Sequence, residues 1–128
     1  MKHTLLMSIA AFFLSNLAPA STLAQQPQRA IEVSIFGIGP AVDIQALRAV
    51  RSVIGRAVTD GVVDTYITYG YGIEGGMSSC IQLSPYQNSQ KLNQLRRELL
   101  NIRPNRSTTS YDVSLVAACT QQPRSPVR

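Results

Sequence analysis

The chain reads as an α+β domain in which one four-stranded antiparallel sheet carries two helices on a single face. Three observations lead there. Stretches of alternating apolar and polar residues are interleaved with two stretches whose apolar residues recur at three- and four-residue steps. Their order is strand, helix, strand, strand, helix, strand. Finally, the two consecutive strands are separated by Gly75-Gly76, a pair suited to a two-residue hairpin turn.

The first strand is expected over residues 31–36, where Ile31, Val33 and Ile35 alternate with Glu32, Ser34 and Phe36. Gly37-Ile38-Gly39-Pro40 then makes a sharp passage into a helix over residues 41–58, with Pro40 suited to its first position. Ile44, Leu47, Val50, Ile54 and Val58 form its apolar face, and Asp43 in the first turn suits the positive end of the helix dipole. Residues 62–83 read as a hairpin, with Val63, Thr65, Ile67, Tyr69, Tyr71 and Ile73 in one row. A turn at Gly75-Gly76 sets Glu74 opposite Met77 and Tyr71 opposite Cys80. The second helix has a strong start signal, since Ser84 can cap, Pro85 fits the first turn and Gln87 completes a capping box. Leu92, Leu95, Leu99 and Ile102 supply its buried stripe, Pro104 stops it, and residues 108–118 form the last strand with Tyr111, Val113, Leu115 and Ala117 on one side.

Ahead of these elements, a basic start at Lys2 precedes the apolar run of residues 5–14 and two small-residue cleavage patterns, Ala18-Pro19-Ala20 and Thr22-Leu23-Ala24. This is the order of a secretory signal, expected over residues 1–24 with cleavage after Ala24. The apolar run is shorter than the ~18 residues of a membrane span, and no later stretch reaches that length. Residues 25–30 then form a flexible lead, residues 31–119 the domain, and residues 120–128 a flexible basic tail. A chain with such a signal is destined for the periplasm or the extracellular space.

The chemistry open to the processed chain is narrow. His3 is the only histidine, and cleavage removes it. Imidazole is the usual activating base for Ser and Cys nucleophiles and a common metal ligand, so Ser-His-Asp and Cys-His mechanisms are excluded. Two cysteines this far apart do not make a zinc spacing. Among the seven acids no pair is singled out by its spacing, so the sequence points to no catalytic residue, metal or cofactor.

The order of elements resembles the split βαβ arrangement of ferredoxin-like domains, over about residues 31–119, without any residue motif of the ferredoxins themselves. That arrangement places the strands carrying Cys80 and Cys119 on either side of the first strand. A disulfide is expected between them, as befits a secreted chain, and it must close beyond the end of the first strand because strands two apart are ~10 Å from each other. Alternation sets Cys80 with Gln82 on a polar side, whereas the hairpin register sets it on the side of Ile67; only the second lets the two sulfurs meet.

Three features bear on function. Tyr69, Tyr71, Glu74, Gly75 and Gly76 set tyrosines among glycines, as in binding loops, with a bulged hairpin over the core as the structural alternative. Arg48, Arg56, Arg96 and Arg97 fall on the two helices, so a shared helix face would suit an anionic envelope component or acidic protein; a net charge of +5 is also met by a plain solvated surface. Export and the lack of an RNA-binding consensus disfavour nucleic acid. The Gly37-Ile38-Gly39 turn lacks the third glycine of a dinucleotide site, because Val42 stands there, and reads as a plain helix entry. The expectation is an exported, non-enzymatic binding or accessory domain. A protease-inhibitor or propeptide-like module is the alternative, with the tail inserted into a protease cleft, and a carboxylate- or tyrosine-based enzyme ranks last.

Overall fold

A computed structural model describes residues 27–120; residues 1–26, which include the stretch expected to be a signal, and residues 121–128, expected to be a tail, lie outside the described residues. The elements are β1 (Ala30–Gly37), α1 (Ile44–Thr59), β2 (Val63–Tyr71), β3 (Gly76–Leu83), α2 (Ser89–Leu100) and β4 (Thr109–Val116). They form one antiparallel sheet in the order β2-β3-β1-β4. This is the α+β, ferredoxin-like arrangement of four strands and two helices. β2 and β4 are its edges.

Burial divides the sheet into two unlike faces. Ile31, Val33 and Ile35 of β1, Met77 and Ile81 of β3 and Val113 of β4 join Leu47, Val50, Val53 and Ile54 of α1 and Leu92, Leu95 and Leu99 of α2 in one core. The opposite face carries Glu32, Ser34, Ser78, Gln82, Ser110, Asp112 and Ser114, whose cross-strand pairing puts them together. An antiparallel sheet covered on one side needs this alternation.

Both helices begin later than the sequence suggests. Asp43, expected inside the first turn, is instead the cap of α1, and Pro40 lies ahead of the helix: the Asp43 carboxylate accepts from the N–H groups of Gln45 and Ala46 at 3.1 Å and from that of Asn105 at 3.1 Å. Residues 41–42 stay outside the helix because the Val42 N–H donates to the Glu74 carbonyl at 2.9 Å. Likewise Asn88, not Ser84, caps α2. Ser84-Pro85-Tyr86-Gln87 instead forms a turn, the Gln87 N–H donating to the Ser84 carbonyl at 3.0 Å, with Pro85 at the second position that suits it. The Arg29 guanidinium fixes this turn by donating to the Ser84 and Gln87 carbonyls at 2.8 and 3.1 Å.

The apolar face of α1 is also rotated from the expected one. Ala46, Val53 and Ala57 join the core, while Ile44 and Val58 remain about half exposed. The stripe of α2 is as read, with Leu92, Leu95 and Leu99 buried and Ile102 packed against them.

The hairpin turn is the largest departure. It spans residues 72–75, and Gly76 already belongs to β3, so Tyr71 pairs with Met77 and Ile67 with Cys80. Glu74 therefore lies in the turn and faces no strand partner. Irregularities between Val63 and Thr65 and between Thr68 and Gly70 reset the alternation along β2. Tyr69 and Tyr71 consequently lie on opposite faces.

Cys80 and Cys119 form a disulfide with Cα atoms 5.6 Å apart. It lies on the polar face, and the two sequence assignments of Cys80 prove to be one, because Ile67 shares that face with Gln82. β4 ends at Val116 and the chain bends at residues 117–118, so Cys119 does not continue the row of Leu115 and Ala117. It crosses beyond the start of β1, where Ala30, Cys80 and Val116 form a small buried cluster with Tyr69 and Cys119 against it.

Candidate functional site

The tyrosine and glycine run divides into a scaffold and the groups it displays. Gly75 has φ +84° and Gly76 φ +114°. A Cβ at Gly76 would run into the carbonyl oxygen of Ile35, and one at Gly75 would lie 2.8 Å from Val42 Cγ1. One at Gly72 would lie 2.7 Å from the Phe36 ring. The turn is thus clasped between Phe36 and Val42. Two backbone bonds complete the clasp: the Gly37 N–H donates to the Gly75 carbonyl at 3.2 Å and the Val42 N–H to that of Glu74. The glycines serve close approach, so Gly75 and Gly76 are structural, and Glu74 contributes its carbonyl.

What this scaffold displays is apolar. Ile73 at the tip is fully exposed, and Tyr71 at the end of β2 is 73% exposed. Tyr69, by contrast, donates from its hydroxyl to the Thr120 carbonyl at 2.7 Å and packs on the disulfide cluster. Tyr69 therefore ties down the chain after Cys119 and leaves the proposed tyrosine pair with one free member.

Tyr71 opens onto a groove of about 450 Å³ between α1 and the β2 edge. Arg51, Gly55 and Val58 of α1 form one wall, and Tyr66, Tyr71 and Met77 of the sheet form the other. The Tyr66 hydroxyl reaches the Met77 sulfur at 3.8 Å. The sequence pattern missed Tyr66 because the bulges invert the row that simple alternation assigns. Ile73 had a readable signal, an isoleucine enclosed by turn glycines.

The four arginines are dispersed. Arg48, Arg56 and Arg97 are exposed and Arg96 is half-buried, its Nε shielded from solvent without a partner among the described residues. Arg56 approaches Glu98 at 3.7 Å across a cleft between the helices. Exposed pairs of this kind contribute little to stability.

The N–H groups of Ala46, Asn105 and Gln45 hold the Asp43 carboxyl below its usual range, as befits a cap. Burial pushes the Tyr111 hydroxyl up to about 12, and it donates to the Leu99 carbonyl at 2.6 Å. Among the described residues no three His, Cys, Asp or Glu side chains group as metal ligands, and no helix is long and apolar enough to cross a membrane. Comparison with known protein families, curated proteins and solved structures finds no match.

Proposed function

We infer that the chain is a small exported domain that acts by contact with a partner, without catalysing a reaction. One observation carries this reading: Tyr71 and Ile73 stand in solvent at the end of a hairpin whose turn is clasped by backbone bonds and glycine contacts. Exposed large apolar side chains lose little conformational freedom on binding when their backbone is already held, which favours association. The disulfide fits an oxidising compartment, in keeping with the signal-like residues 1–24. The loss of His3 with that segment, and the use of Asp43 as a cap, support a role without acid-base chemistry.

Affinity capture from the host's envelope and culture medium tests this. The processed chain is expected to recover a specific partner that a Tyr71→Ser/Ile73→Ser double variant does not, while Tyr86→Ser, altering another highly exposed aromatic, recovers it normally. Equal recovery by the double variant would refute the contact surface. Turnover of a substrate lost with Glu74→Gln would refute the non-catalytic reading.

A further inference from the structure

We propose that the groove beside β2 receives an extended acidic peptide, which adds to the sheet as a fifth strand and sets alternate apolar side chains into the groove. This deepens the contact reading and rests on it. β2 is an edge, so half of its backbone N–H and C=O groups point away from β3, and no described strand pairs with them. Its regular stretch is short, because irregularities flank Thr65, Tyr66, Ile67 and Thr68. Strand addition is confined to those four residues, and the flanking bulges blunt the rest of the edge.

The groove lies on the helix side of that stretch. A strand added there alternates its side chains as β2 does, so every second one points toward α1. Gly55 makes room for it. This glycine sits in the middle of α1, where glycine is a poor helix former, and a Cβ built on it meets nothing within 4 Å. Helix packing therefore does not require glycine at this position. An open volume bordered by Val58, Tyr66, Tyr71 and Met77 accounts for it, as a seat for an apolar side chain.

Charge selects the partner's chemistry. Among the described residues that line the groove, Arg51 alone is charged. A carboxylate beside the apolar residues of the peptide meets this guanidinium, whereas a second copy of a chain with net charge +5 is disfavoured by like charge.

Selection of a random peptide display library against the full processed chain tests the proposal. Enriched peptides are expected to carry apolar residues at alternate positions with a nearby Asp or Glu. Synthetic versions should bind at least tenfold more weakly to Gly55→Leu, which fills the seat, and to Arg51→Glu, which should regain binding when the peptide acid is changed to Lys. Gly55→Leu should fold at least as stably as the parent, because leucine is the better helix former and space is open at its Cβ. Methylating alternate peptide amides should also weaken binding at least tenfold, and amide resonances of residues 65–68 should shift on binding. No enrichment, or enriched peptides indifferent to Gly55→Leu or to amide methylation, would overturn strand addition. Should capture still depend on Tyr71 and Ile73 in that case, the contact reading stands alone; should both experiments fail, both readings fall.

Discussion

Gly76→Ala is expected to cost the fold at least about 3 kcal/mol, and Gly76→Val more, because two separate penalties fall on one atom. At φ +114° any L side chain is strained, and the added Cβ collides with the Ile35 carbonyl on the neighbouring strand. β1 cannot retreat without breaking its ladder to β3, since Phe36 pairs with Gly76 and Ile35 with Met77. Gly70→Ala is the matched control. It lies in the same hairpin, has no positive φ, and leaves its Cβ nothing to meet within 4 Å, so a change within about 1 kcal/mol is expected. Urea denaturation of the two variants gives the comparison, and similar losses for both would contradict the clasp.

Removing the disulfide by Cys80→Ala/Cys119→Ala should cost about 4 kcal/mol, the chain-entropy estimate for a loop closed over a sequence separation of 39. That is a large part of the ~5–15 kcal/mol that a domain has in total. Its location adds to the effect. With the bridge gone, the bonds that remain on the segment after Val116 include the Arg29 N–H to the Ala117 carbonyl at 3.2 Å, the residue-119 N–H to Gln82 Oε1 at 2.9 Å, which is part-buried, and the exposed bond from Tyr69 to Thr120. Ala30, Val116 and Tyr69 would lose part of their cover. The parent with and without reductant should differ as the double variant does. Equal stability of the oxidised and reduced chains would contradict the prediction.

Local chemistry explains which parts of the fold were legible. Strand and helix order followed from apolar spacing, and the stripe of α2 was readable because Leu92, Leu95 and Leu99 face a core with no competing demand. The disulfide was legible as a pair and as a closure past β1, since the element order places both strands beside it. Helix starts were not. Pro40 and Ser84-Pro85 carry true start chemistry, but the backbone at Val42 is committed to Glu74 and that at Ser84 to Val62 and Gln87. Such long-range bonds have no signature in a short window. The faces of β2 were illegible for a related reason: each bulge reverses inside and outside, so Tyr69 and Tyr71 separate although two residues apart. Thus the residues of the candidate loop divide between the two faces of the sheet and its turn. Tyr69 became a tether, the glycines a clasp, and Tyr66, Tyr71 and Ile73 the exposed surface.

Binding through Tyr71 and Ile73 depends most on that clasp being rigid, since a loose turn would present them no better than an unstructured segment does. Native-state amide hydrogen exchange measures this directly at Gly37 and Val42, whose N–H groups cross to the turn carbonyls of Gly75 and Glu74. Both amides are expected to be protected to within about tenfold of the β1 interior, at Val33 and Ile35. Exchange of Gly37 and Val42 at the rate of an open loop, with β1 still protected, would contradict it.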